Sequence, residues 1–213
     1  MGNLFIWDFH GVLEKDNEFA VQEVVNRVLP EFGIKRKATV EECRKLYGLK
    51  WADYYRFFAP EADEETIYKM VERAVEISVG EKVALKYIKQ TEHADFVLKQ
   101  IAQKGHANLI MSNSSSASLN YFLESVNLQN HFHHKFGADN HRKNFRKNTK
   151  AEFLKKFLKE NSFDKIIVID DREDGIEMGL KVNAVTYLFS RNGKTSQKAH
   201  HNISDLREVL KEL

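Results

Sequence analysis

Cysteine occurs once in this chain, at Cys43, which excludes a disulfide framework and a thiolate metal cluster. Proline is almost as scarce, with Pro30 and Pro60 alone, and ten glycines are spread along the sequence, so no Pro- or Gly-rich stretch marks a sharp domain joint. No apolar run approaches the length needed to cross a bilayer. Charge of one sign is lacking too: a net charge of +2 is too small to argue for a nucleic-acid partner. The first residues alternate polar and apolar, unlike a basic region followed by a signal-like apolar stretch. These absences set the expectation of a reducing, cytoplasmic setting without membrane or nucleic acid. What remains is an ordinary globular composition, 42% hydrophobic and 30% charged over 213 residues. That suffices for one α/β core, or for a core with a smaller appended domain.

Four short apolar runs stand out: Leu4 to Trp7, Ala107 to Met111, Ile166 to Ile169 and Val185 to Phe189. Their continuous character predicts parallel strands buried on both faces. Helical stripes lie between them. Phe96, Val97 and Ile101 form one before Gly105; Leu119, Phe122, Leu123 and Val126 form another; Phe153, Leu154, Phe157 and Leu158 form a third. Alternation of this kind predicts an α/β fold with a mostly parallel sheet covered on both sides. From Glu14 to Thr91 the pattern is helical instead. Phe19, Val21, Val24, Val25 and Val28 sketch a helix closed by Pro30, and Thr39 with Glu42 has the spacing of a capping box. Ile67, Met70, Val71, Ala74 and Val75 give a 3.6-residue stripe. The expected division is a core of residues 1–13 and 92–213 with a helical insert of residues 14–91; the alternative is that these helices merely extend the core. For Tyr54, Tyr55, Phe57 and Phe58, packing is the plain reading and an aromatic ligand box the alternative.

The chemistry-bearing residues sit where apolar runs stop, the edge of an open α/β sheet at which ligands bind. Asp8 ends the first run, in Asp8-Phe9-His10-Gly11-Val12. A carboxylate held there can serve as nucleophile or metal ligand, and Gly11 lets the backbone turn tightly toward a ligand. Asp170, Asp171 and Asp174 follow the Ile166 run. Acidic groups gathered near Asp8 repel one another unless a hard cation or a basic group compensates them, and magnesium is the expected compensation. Asp171 is left as a ligand, a helix cap or an orienting group. Ser112 and Asn113 can donate to an anionic oxygen, and Ser114, Ser115 and Ser116 add donors and N-caps. Lys150 precedes a helix and can neutralise phosphate charge, with Lys147 as its competitor in a segment made basic by Arg142, Lys143 and Arg146. His131, His133, His134 and His141 lie near Asp139, but the spacing of His133 and Asp139 matches no closed zinc site, and a polar loop explains them.

Taken together, these segments resemble the haloacid-dehalogenase-type hydrolases, a family dominated by magnesium-dependent phosphatases. Asp8-Phe9-His10-Gly11-Val12-Leu13 matches the first motif, Leu109-Ile110-Met111-Ser112-Asn113 the second, Asn148-Thr149-Lys150 the third, and Val168 through Gly175 the acidic fourth, in the family's order. The resemblance implies a Rossmann-like three-layer core with a helical cap inserted after the first strand. It implies phosphomonoester hydrolysis of a small phosphorylated metabolite through an aspartyl-phosphate at Asp8. Mg2+ would be held by Asp8, the His10 backbone carbonyl, Asp170 and Asp174, with Asp171 behind them. Ser112, Asn113, Lys150 and Gly11 would bind the phosphoryl group, in a monomer or homodimer. One departure stands out: the family's second motif-one Asp, the acid/base, is His10 here. Imidazole can make both proton transfers, since its ordinary pKa is roughly 6.5. The readings left open are an active phosphatase using His10, a hydrolase with other chemistry such as dehalogenation, and a catalytically impaired binding protein.

Overall fold

The run Leu4–Asp8 is apolar in every position but its last, and all five residues are buried. In a computed structural model that describes residues 2–138 and 149–213, it forms β1 at the centre of a sheet. A two-residue strand β2 (Glu14–Lys15) follows, then helices α1 (Asn17–Glu31), α2 (Val40–Lys45), α3 (Trp51–Phe58) and α4 (Glu64–Val75). A wider π turn (Glu76–Gly80) prolongs α4, and β3 (Lys89–Gln90) closes this stretch. The remainder alternates α5 (Ala94–Gln103), β4 (Ala107–Ser112), α6 (Ser116–Ser125), β5 (His134–Gly137), α7 (Thr149–Glu160), β6 (Ile166–Asp170), α8 (Glu173–Leu180), β7 (Val185–Phe189) and β8 (His201–Ile203). The six-stranded sheet has the order β5-β4-β1-β6-β7-β8, and every pairing in it is parallel. The α/β expectation is therefore met.

Alternation along β1 explains the layers. Phe5 and Trp7 point to one face, packing with Val97, Ile101, Leu119 and Leu123 of α5 and α6. Leu4 and Ile6 point to the other, toward Leu154 and Phe157 of α7 and Met178 of α8. A strand buried on both faces must be apolar throughout, which is why these runs read so plainly. A polar pair inside this core is satisfied internally: the Trp7 indole donates to Asn108 Oδ1 at 3.0 Å, and Asn108 Nδ2 donates to the Leu98 carbonyl at 3.1 Å.

The helices between β2 and β3 enclose a core of their own, built on Val21, Val24, Val25 and Val28 of α1 with Tyr55, Phe58, Ile67 and Met70. Tyr87 packs against both this cluster and one face of the sheet. Glu14 and Lys15 pair antiparallel with Gln90 and Lys89, so the chain leaves for the helices and returns from them through a two-stranded stem. The capping box at α2 is present, with Thr39 accepting from the Glu42 amide. Pro30 lies inside the last turn of α1 rather than ending it. No helix among the described residues is long and apolar enough to cross a membrane.

One edge strand corrects the reading of a polar loop around His133 and His134, and a second lies near the C-terminal end of the described residues. His134 begins β5, and His201 begins β8. Both strands lie at sheet edges, where one side stays open and polar residues are tolerated. The neighbouring histidines serve structure: His131 Nε2 is 2.9 Å from Asp95, His133 Nδ1 accepts from the Asn108 amide, and His200 Nδ1 accepts from the Thr186 amide. Asp139, His141, Arg142, Lys143, Arg146 and Lys147 lie outside the described residues.

Candidate active site

Parallel strands bring their C-terminal ends to one edge, and the polar residues that terminate them meet there. Asp8 of β1 pairs in register with Met111, so Ser112 of β4 extends one residue beyond it. On the other side Trp7 is level with Ile169, and Asp170 follows. Asp8, Asp170 and Ser112 are all buried, as is Lys150 on the first turn of α7. The Lys150 ammonium lies 2.5 Å from Asp8 Oδ1 and 3.8 Å from Asp170 Oδ2. Burial works against its charge, but the two carboxylates outweigh that and hold its pKa above the ordinary lysine value. Lys150 therefore stays an ammonium at the sheet edge.

Acidic groups outnumber it. Asp8, Asp170 and Asp171 each offer an oxygen within 4.8 Å of the others. The pKa of Asp170 is pushed up to about 7, first by burial and then by the charge of Asp8, against the opposing pull of Lys150. Asp171 is raised well above its ordinary value by burial and by Asp170 and Asp8. Its Oδ1 is shielded from solvent without any hydrogen-bond partner. Hard oxygen donors, close together, under-compensated and with one orphaned acceptor, suit a small divalent cation. Asp174 is not among the three. It lies on the first turn of α8, largely exposed, with Oδ1 3.0 Å from Arg172 Nε. It nevertheless lines the same small cleft as Lys150 and Asp170, and its charge acts on both.

Two glycines make room for these carboxylates. Gly11 has φ +86°, and a Cβ there would stand 2.5 Å from Asp171 Oδ2. A Cβ on Gly175 would fall on the Asp170 carboxylate itself. Gly11→Ala therefore combines left-handed strain of about 1–2 kcal/mol with displacement of Asp171. The expected outcome is a melting temperature lowered by several degrees and a weaker stabilisation by divalent cations, both read by differential scanning fluorimetry. Asp170 supplies a second test. In the unfolded chain it ionises near the ordinary value of about 4, but in the metal-free fold near 7. Between these values the folded protein holds the extra proton, so stability falls as pH rises through the window, and the penalty is complete above it. Asp170→Asn is expected to raise the metal-free melting temperature at pH 8 and to abolish stabilisation by added Mg2+. An unchanged metal-free melting point would contradict the electrostatic account.

His10 leaves this cluster and faces the helices. Its Nδ1 lies 3.0 Å from Glu14 Oε1 and 3.2 Å from Asn17 Nδ2, and its Nε2 lies 3.0 Å from Ser114 Oγ. Glu14 is fully buried, and its Oε1 also receives the Tyr47 hydroxyl and, at 3.3 Å, the Gly11 amide. Sequence reasoning missed Glu14; the available signal was a His and a Glu four apart around a glycine turn. The segment after α2 closes over the edge: Arg172 Nη1 donates to the Tyr47 carbonyl at 3.0 Å, and Asn113 Nδ2 to the Gly48 carbonyl at 3.1 Å. Ser112 Oγ accepts from the Ser114 amide at 3.1 Å. Beyond His10 and Asn113, between the helices and the sheet edge, lies a cavity of about 180 Å³. Trp51 and Tyr54 line it; Tyr54 is at the same time buried in the helical core with Tyr55 and Phe58, and Phe57 is exposed beneath Arg36.

Comparison with known proteins bears on this arrangement directly. Residues 5–189 match the model of the haloacid dehalogenase-like hydrolase family. The chain is a haloacid dehalogenase-like hydrolase. The resemblance drawn from its four motifs is thereby confirmed. Among solved structures, a haloacid dehalogenase-like family hydrolase from Streptococcus pneumoniae aligns with TM-score 0.79 and 12% identity over 99% of this chain and 97% of its own. A predicted phosphatase from Clostridium acetobutylicum aligns with TM-score 0.80 and 17% identity, covering 100% and 98%. A β-phosphoglucomutase from Clostridium difficile gives 0.74 and 14%, covering 100% and 97%. At these identities the likeness is one of fold. A comparison with curated protein sequences finds no match.

Proposed function

We propose that this hydrolase releases phosphate from a small phosphomonoester, with Asp8 as nucleophile and His10 as acid and base. The observation that carries the reading is the meeting of Asp8 with one buried ammonium and two further carboxylates at the sheet edge. Positioning and fixed positive charge do most of the work in phosphoryl transfer. Relatives of the same fold include a predicted phosphatase and a phosphoglucomutase, in keeping with this chemistry. Mg2+, held by Asp8, Asp170, Asp171 and the His10 carbonyl with Asp174 at the margin, would supply positive charge for the phosphoryl oxygens.

The chain's own residues then divide the work. Lys150, Ser112 and Asn113 bind the phosphoryl oxygens, and Gly11 lets the backbone come close. An Asp8 oxygen attacks phosphorus, the bond to the ester oxygen breaks, and His10 gives that oxygen a proton. Water next attacks phosphorus, its proton passes to His10, and the aspartyl-phosphate opens to free phosphate and Asp8. Glu14 stands behind His10 as the group that orients the ring, as a carboxylate behind an imidazole does in other hydrolases. The helices of residues 14–91 act as a cap that excludes water and selects the alcohol.

The test is phosphate release from a phosphomonoester panel at several pH values, with Mg2+ and with EDTA. Release that requires the cation supports the reading. Chloride release from haloacids unaffected by EDTA would instead identify dehalogenation, chemistry that gives Asp170 and Asp171 no task.

A further inference from the structure

The cavity beyond His10 restricts the alcohol this site can accept. Most of its exposed wall is carbon, supplied by Val21, Leu49, Val71, Val75, Val79 and Phe122 and by the rings of Trp51 and Tyr54. Val79 and Ser78 come from the π turn that prolongs α4, a local widening of a kind frequent at functional sites. His10, Asn113 and Ser114 mark the end nearer the sheet edge, and Asn17, Tyr47, Ser78, Ser115 and Ser118 add polar groups to the lining. Among the described residues Lys50 is the only lysine or arginine on the lining, and burial draws its pKa down.

Size and chemistry together choose the ligand. An apolar cavity of ~150 Å³ holds one benzene ring, so about 180 Å³ takes one ring with a small substituent. A nucleoside, with a base and a ribose, exceeds this volume and would have to leave one of its two rings outside the cavity. A polyol would fit, but most of its hydroxyls would face valine and aromatic carbon, with few of the hydrogen bonds they make in water. We infer that the alcohol released here is monocyclic and largely apolar, an aryl or arylmethyl group, rather than a sugar or a nucleoside. This inference rests on the phosphomonoester reading for the position of the phosphoryl group, at the end of the cavity marked by His10 and Asn113.

Binding of phosphonates, which are not hydrolysed, tests the cavity apart from turnover. Isothermal titration in Mg2+ buffer would compare methylphosphonate, benzylphosphonate and glycerol phosphonate. Burial of the ring should make benzylphosphonate at least about tenfold tighter than either of the others. Val79→Trp, which fills the cavity, should bring the benzyl-to-methyl ratio close to one. Trp51→Ala, which enlarges it, should shift the preference toward naphthylmethylphosphonate and needs no loss of binding to be read. Benzylphosphonate binding no tighter than methylphosphonate, weaker than glycerol phosphonate, or unmeasurable would overturn the inference, as would an unchanged ratio in a folded Val79→Trp protein. Failure of the phosphatase reading itself would appear separately, as absent phosphate release.

Discussion

Asp8→Asn is expected to lower phosphate release by about 10⁴-fold or more, the scale on which loss of a covalent nucleophile acts. The substitution keeps shape and volume at a buried position, and Lys150 retains Asp170 at 3.8 Å. Circular dichroism should therefore remain close to native. Because the amide cannot attack phosphorus, no covalent intermediate should form. A loss of less than about tenfold would show that Asp8 serves as a ligand only and that another group attacks.

His10→Ala carries the second large effect, a fall in kcat of about 10²–10⁴-fold. Its dependence on the leaving group distinguishes catalysis from simple disruption. An alkyl alcohol leaves poorly without a proton, whereas p-nitrophenolate leaves readily. The variant should therefore lose far more activity on benzyl phosphate than on p-nitrophenyl phosphate. Equal losses on both would remove the acid role. Glu14→Gln should show the same pattern more weakly, because it removes the carboxylate 3.0 Å behind Nδ1 while keeping a hydrogen-bonding group of similar shape. Tyr47→Phe, which deletes one donor to Glu14 Oε1, should do less again.

The parts of this architecture visible in the sequence are those where burial left little choice. β1, β4, β6 and β7 are covered on both faces, so their apolar runs, and the Asp or Ser ending three of them, could be read directly. β5 and β8 were hidden because an edge strand is wetted on one side and its sequence looks like loop. The cation cluster was legible as a set of acidic residues but not in its membership. Asp171 precedes α8 and joins the cluster, whereas Asp174 lies on the helix's first turn outside it, and the sequence alone does not fix where that helix begins. Glu14 carries no motif; the positive φ of Gly11 folds the chain back so that residues 10 and 14 meet. Among the aromatics of α3, Tyr54, Tyr55 and Phe58 all belong to the helical core, and of the three Tyr54 also lines the cavity, a distinction that composition alone does not contain.

The central claim is a phosphoryl group carried covalently by Asp8. The most direct measurement is acid quenching during turnover of p-nitrophenyl phosphate in Mg2+, with His10→Ala to slow hydrolysis of the intermediate, followed by mass spectrometry of the peptide containing Leu4 to Lys15. The account predicts that this peptide gains one phosphoryl group at Asp8 and that Asp8→Asn gains none. Steady phosphate release from a protein whose Asp8 peptide is never modified would contradict it.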